Sequence, residues 1–298
     1  MNLDGDVWIR PRTRIPCRGK RSEEQLEKSF QENFTGGFPV LYSSARAGIM
    51  LILRLFHRQR TVSIFPYASQ CVVKAAMLAG KFVHTPLPLQ KRDLVFNQWG
   101  LHQIHIENSE IFLEDSADSL YPIGGSVCKA NSRFEVWSFP KILGTTFGGV
   151  VWCKSESDAC ALREIRNRLP RQNFLYHTVL SVFKSINKIT YRVWENYLFS
   201  HPSLNKVQID ILSKELDEWS KTYERRRIDY EEAVLRVSSR NSPRFSELQS
   251  SNFGVIPIVI ECESQVAHLT TKVLNRVYPN GRVERKFIYA YQKERRKR

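Results

Sequence analysis

Among its 298 residues the chain has only six cysteines and no CxxC pair, no apolar run approaching membrane-spanning length, and a shortage of acids. Each lack excludes something. Without paired thiols at metal or dithiol spacing, the cysteines read as structural. Cys71, Cys153 and Cys262 lie inside apolar runs, where a thiol acts as a small hydrophobe, so reduced, buried cysteines are expected. The most lipid-like run, Ala47 to Phe56, is interrupted by Arg54 and falls far short of the ~20 residues a span requires. The opening MNLDGDVWIRPR holds no apolar core followed by a cleavage site, so no secretory signal is expected and a cytoplasmic location is. His102 and His105 have no third ligand at a familiar spacing, so no metal is expected. The acid shortage leaves 45 Lys and Arg against 30 Asp and Glu, a formal net charge of +15. Such a field attracts nucleotides, phosphosugars, nucleic acid or acidic lipid without choosing among them. No nucleic-acid-binding motif accompanies it, so nucleic acid is not an expected partner, while the basic surface leaves room for peripheral contact with a membrane.

What is present is a strongly organised chain, 42% hydrophobic and 11% aromatic. Residues 1–38 are polar and basic, with a short helix expected from Ser22 to Phe30. From Pro39 an alternating rhythm begins. TVSIFP, FVHTPL, LVFNQW, IFLED, FEVWSF and GGVVWC read as strands, and LYSSARAGIMLILRLF and Ala68 to Ala79 carry helices. SESDACALREIRNRL opens a helix on a Ser155/Asp158 capping pattern. Residues 172–240 are nearly all helical in pattern, and the stripe Leu175, Leu180, Val182, Phe183 and Ile186 reads as core. After a Ser/Asn/Pro-rich break, GVIPIVIEC reads as a strand and ESQVAHLTTKVLNRVY as an amphipathic helix. Three units follow: an N-terminal segment 1–38, a large domain 39–240, and a small C-terminal α+β domain 241–298 with a basic tail. Strands alternating with helices predict an α/β fold with a mostly parallel, doubly wound sheet.

The chemistry concentrates between Ile111 and Cys153. Asp115 ends one apolar strand, Lys141 follows another by one turn, and Gly148-Gly149 leads into a third. The carboxyl ends of parallel strands line the ligand crevice. A carboxylate there can pair with a protonated pyridine nitrogen, and a sheltered amine can attack an aldehyde. Upstream, Ser43-Ser44-Ala45-Arg46-Ala47 places small residues at a helix start, where backbone N–H groups can approach a phosphate and Arg46 can add a charged contact.

These blocks resemble the DegT/DnrJ/StrS family of sugar aminotransferases, fold-type I enzymes that use pyridoxal 5'-phosphate (PLP). Glu114-Asp115-Ser116-Ala117-Asp118 stands where that family has E-D-A-A-Q, Ser138-Phe139-Pro140-Lys141 where it has S-F and the Schiff-base lysine, and Ser43–Ala47 where it has S-G-T-A-A-L. The resemblance covers roughly residues 35–170 by motif and marks a divergent, short member. It implies a fold-type I seven-stranded sheet, with Lys141 and Asp115 catalytic. It further implies a PLP site formed by Lys141, Asp115, Asp118, Ser138, Ser44, Ala45, Arg46, Tyr67 and Gln70. It implies amino transfer from an amino acid, by analogy glutamate, to a nucleotide-linked keto sugar in cell-surface polysaccharide or related glycan synthesis, by a homodimer. Departures exist: Asp118 replaces the family's Gln, the segment from Gly80 to Asp115 is short, Asn97-Gln98-Trp99-Gly100 stands for the family's H-x-Y-G turn, and the Asn-x-Arg loop has no counterpart. A non-catalytic member serving as a binding or scaffold protein is the alternative that these departures keep open.

Overall fold

A computed structural model describes residues 21–64, 68–84, 93–97, 111–129, 131–238, 256–258, 271–277 and 283–289. Its centre is a five-stranded sheet in the order β1 (Phe38–Tyr42), β7 (Gly149–Cys153), β6 (Phe134–Ser138), β5 (Leu113–Asp115), β4 (Leu94–Phe96). β4, β5, β6 and β1 run the same way, and β7 runs against them. A separate parallel pair, β2 (Thr61–Ser63) and β3 (Phe82–His84), meets the β4 side through side chains rather than a ladder. Ser63 N donates to Asp93 Oδ2 (2.8 Å) and Asp93 N donates to Ser63 Oγ (2.7 Å), immediately before β4. The seven expected strands are thus present as five plus two, mostly parallel and flanked by helices.

The pleat divides each strand between two cores. Val40, Tyr42, Phe134, Val136, Val151 and Cys153 face α2 (Ala45–Leu55), α3 (Gln70–Leu78) and α5 (Glu156–Arg168). Leu41, Trp137, Val150 and Trp152 face the other way, onto α1 (Glu23–Asn33), the short α4 (Phe139–Ile142), α8 (Lys206–Asp217) and α9 (Trp219–Ser238). Around Phe34 on that second face, the rings of Trp137, Trp152 and Trp219 sit edge-on at 5.0–5.9 Å. Such contacts add to the burial of large rings. Trp219 Nε1 donates to Tyr121 O (2.8 Å), so the start of α9 is tied to the loop after β5.

Helix starts follow their caps. Ser22 forms a capping box with Gln25, Ser44 accepts from Ala47 N, and Ser155 accepts from Asp158 N, which satisfies donors that the first turn leaves open. Behind α1 lies a buried ion cluster. Arg166 on α5 bonds Glu27 and the Leu41 carbonyl (3.0 Å), and Arg163 bonds Glu27 (2.8 Å) and Pro39 O (2.9 Å). It clamps α1 and α5 onto β1.

Two sequence expectations are corrected. Thr271–Val277 is not the end of an amphipathic helix but strand β9, paired antiparallel with β10 (Val283–Tyr289), which also pairs with β8 (Ile256–Ile258). The β-branched residues of TKVLNRV and the turn-forming sequence Tyr-Pro-Asn-Gly after it favour a hairpin over a helix. The stripe on α6 (Phe174–Phe183) is not core: Leu175, Val182, Phe183 and Ile186 are all exposed. Periodicity marks an apolar face without saying what covers it.

Candidate active site

The motifs converge on one edge of the large sheet. The carboxyl ends of β1, β5 and β6 and the amino end of β7 meet there. Tyr42 and Ser138 both stand opposite Gly149 in the ladder, and Asp115 stands opposite Val136. Because side chains alternate, Asp115 and Ser138 belong to the α2 face of the sheet, with Leu113 and Val136.

The turn into α2 is built by exact fit between backbones. Gly148 N donates to Ser43 O (2.6 Å), and Ser44 bridges to Gly148. A Cβ on Gly149 would lie 2.6 Å from Ala45 N and 2.8 Å from Trp137 O, both backbone atoms that cannot step aside cheaply. Gly148 has φ +95°, which disfavours any side chain, and a Cβ there would also meet the Phe139 ring at 2.8 Å. The Gly-Gly pair therefore lets the N-terminus of α2 close onto the sheet edge. There the helix dipole and first-turn N–H groups favour an anion. Ser43 is held from further along the chain: its Oγ donates to His201 O (2.8 Å) and its N to Pro202 O (2.7 Å).

On β5 and α4 stand the acid and the amine. Asp115 is buried, and its Oδ1 accepts from Ala117 N (3.1 Å), which fixes the turn that carries Asp118. Lys141 Nζ lies 3.1 Å from Asp118 Oδ1, with the two side chains 11% and 3% exposed. A lysine charge this sheltered is held by its carboxylate rather than by water. Lys141 reaches this place because β6 ends at Ser138 and Pro140 sits in the first turn of α4.

The remaining expected residues divide. Ser138 is half-buried at the end of β6, level with Gly149. Arg46 turns toward α7 (Lys188–Ser200), where it pairs with Glu195 (3.3 Å) and lies 4.9 Å from the Trp194 ring. Gln70 is exposed at the first residue of α3, and Tyr67 lies outside the described residues, as do His102 and His105. Asn97, the first residue of the expected N-Q-W-G turn, is buried and donates to Glu114 Oε1 and to Ser116 Oγ (2.9 Å). The grip of Glu195, His201 and Pro202 on the α2 turn was not foreseen. Those residues lie about 150 positions away in sequence, and nothing local signals the contact.

A pyridine aldehyde phosphate needs an amine, a carboxylate for the ring nitrogen and a donor cradle for the phosphate. Lys141, Asp115 and the Ser44-capped α2 turn stand at one edge, and the absence of a side chain on Gly149 lets the α2 backbone close onto that edge. The residues fit the group.

The comparisons agree. A family model described as "Putative PLP-dependent aminotransferase" matches residues 26–247. The chain belongs to this PLP-dependent aminotransferase family. Its cofactor is accordingly PLP, and it is an enzyme of the transferase class. No curated protein sequence matches the chain. Solved structures share its fold at low identity. PseC of Helicobacter pylori, an aminotransferase of pseudoaminic acid biosynthesis, is 13% identical with a TM-score of 0.58 over 91% of this chain and 84% of that one. TlmJ, an aminotransferase of Streptoalloteichus hindustanus, is 18% identical with a TM-score of 0.58 over 88% and 78%. The sugar aminotransferase CalS13 of Micromonospora echinospora is 16% identical with a TM-score of 0.55 over 78% and 73%. The aminotransferase fold is therefore that of fold-type I, as the motif order implied.

Proposed function

We propose that this aminotransferase moves an amino group from an amino acid, by analogy glutamate, to a nucleotide-linked keto sugar in the synthesis of a surface polysaccharide or related glycan. The observation that carries the proposal is the meeting of Lys141, Asp115 and the Ser44–Gly149 turn at one sheet edge inside a chain of this family. The sugar class is supported by the likeness to PseC, an aminotransferase of pseudoaminic acid biosynthesis, and to the sugar aminotransferase CalS13, and by the motif order. The net charge of +15 suits a diphosphate-bearing substrate.

When bound, PLP supplies an electron sink. The protein does the rest. Lys141 Nζ would bond the cofactor, and once the amino donor displaces it the freed amine would hold and move the proton at the substrate carbon. Asp115 holds a proton on the ring nitrogen, since a buried carboxylate favours a cation beside it. Asp118, paired with Nζ, orients the amine. The α2 turn and Ser138 hold the phosphate. The active form is a cytoplasmic homodimer in this reading.

The test is titration of the purified protein with PLP. A visible absorption band should appear, borohydride should trap the adduct on Lys141, and Lys141→Ala should lose the band and at least about a thousandfold in turnover while keeping its fold. A colourless protein with no trapped adduct would instead support the non-catalytic scaffold reading.

A further inference from the structure

We propose that Asp118 is a latch on Lys141: in the cofactor-free protein it keeps Nζ an ammonium ion, which cannot act as a nucleophile until that proton leaves. Nζ lies 3.1 Å from Asp118 Oδ1, and the two side chains are 11% and 3% exposed. Backbone bonds hold both ends of the pair. Ser116 N donates to Val136 O (3.0 Å) and Ser119 N to Ser116 O (2.9 Å), so the turn that carries Asp118 is fastened to β6. On the other side Phe139 N donates to Gly148 O (3.2 Å) and Leu143 N to Phe139 O (2.7 Å), and the Phe139 ring stacks on Phe30 at 5.6 Å, which fixes the single turn of α4. The contact is therefore built into the fold, unlike an ion pair between two long side chains in water.

Two opposed effects act on Lys141. Shelter from water disfavours its charged form, and a carboxylate in contact favours it. Lys141 is not fully enclosed, and at hydrogen-bond distance an opposite charge moves an ionisation by roughly one to three pH units, so the carboxylate prevails. The titratable groups on the neighbouring elements have other positions and partners. Asp115, on the same turn as Asp118, accepts from Ala117 N (3.1 Å). Glu135 on β6 accepts from Trp137 Nε1 (2.7 Å) and Cys128 N, and burial holds the Cys153 thiol neutral at the far end of β7. Glu23 and Glu27 on α1, which meets α4 through Phe30, pair with Arg166. On α8, Asp210 pairs with Lys206 (2.6 Å), Asp217 pairs with Arg21 (2.8 Å), and Glu215 is buried. An ammonium ion has no lone pair to give an aldehyde carbon. With Lys141 as the cofactor-bonding amine, as proposed for this site, capture of PLP waits for its proton to leave, and Asp118 decides when it can.

The test is competitive acetylation of the full, cofactor-free chain with trace acetic anhydride across a pH series, read at each lysine by mass spectrometry, with the exposed Lys28 as internal reference. In wild type Lys141 should become reactive at no lower a pH than Lys28. In Asp118→Asn it should become reactive at least about one pH unit lower, and acetylate several-fold faster at neutral pH. Asp118→Glu should restore the wild-type profile, and Lys28 should not move in either variant. Circular dichroism should be unchanged, and if Asp118→Asn does not fold the wild-type profile alone decides. The visible band on mixing with PLP should also appear faster in Asp118→Asn at neutral pH, with the difference closing as pH rises. The proposal is overturned if wild-type Lys141 reacts at a lower pH than Lys28, or if Asp118→Asn leaves the Lys141 profile where it was. A shifted profile in a protein that forms no PLP band would support the latch and bring down the cofactor reading instead. An unshifted profile in a protein that does form the band would do the reverse.

Discussion

Glu114 and Asp115 are consecutive acids on β5, and the pleat sends them to opposite faces of the sheet. Asp115 goes to the α2 face at the site edge. Glu114 goes to the α1 face, directly across the ladder from Glu135 on β6. There the two carboxyl groups are buried among neutral donors. Asn97 Nδ2 and Ser132 Oγ (3.2 Å) donate to Glu114, and Trp137 Nε1 (2.7 Å) and Cys128 N donate to Glu135. Burial first, and then the Glu114 carboxylate beside it, push Glu135 up to about 7. Two acids one residue apart thus meet different fates. One is placed beside a motif lysine and a helix N-terminus, while the other is locked into a network that joins β5, β6 and the loop carrying Cys128. The type of residue does not make the site; its face of the strand does.

The sharpest break of this comparison is to remove one charge from each side. Asp115→Asn should weaken PLP binding roughly 10- to 100-fold, since a hydrogen bond to a charged group contributes about 1.5–3 kcal/mol. Glu135→Gln should leave PLP affinity within about threefold, because its face is turned away from the site. Titration of the visible band reads both. Equal losses would show that the two faces act as one unit, and an unaffected Asp115→Asn would reduce Asp115 to its turn-fixing bond with Ala117.

A second contrast lies in pH. Glu135 ionises near its ordinary value of 4.5 when unfolded but at about 7 when folded. Between these values the native state binds more protons than the unfolded one, so stability falls as pH rises through this window and levels off above it. The contribution is on the order of 3 kcal/mol. The difference in denaturant midpoint between wild type and Glu135→Gln should therefore shift in the variant's favour from pH 5 to pH 8. A difference that does not change with pH would show that Glu114, rather than Glu135, keeps the shared proton.

The strand set was readable because β5, β6 and β7 are short apolar runs bounded by marked residues: Asp115 and Ser138 end the first two, and Gly149 begins the third. Parallel topology brings Asp115 and Ser138 to one edge, whereas Gly149 joins them because β7 runs antiparallel. The contacts that finish the edge were not readable. Arg46 answers to Glu195, and Ser43 to His201 and Pro202, across separations that no local pattern records. Glu135, an acid inside the strand FEVWSF, is fully buried because its partners come from Trp137 two residues on and from a loop. The α6 stripe was misread for the opposite reason: its period was right, but the side facing out was a tertiary fact.

The smallest effect separates the two edges of the sheet rather than its faces. Ser44 and Ser155 make the same cap bond, to Ala47 N (3.3 Å) and Asp158 N (3.2 Å). Ser44 stands at the carboxyl end of β1, whereas Ser155 follows the carboxyl end of β7, which runs the other way, so the two helices begin at opposite edges. Either serine changed to alanine should cost about 1 kcal/mol of stability. Only Ser44→Ala should also weaken PLP, and inorganic phosphate in competition with it, because only α2 starts where Gly149 lets a helix close on the site. If Ser155→Ala weakened phosphate to the same extent, the loss would be one of general stability, and the anion would have to be held elsewhere than at the α2 turn.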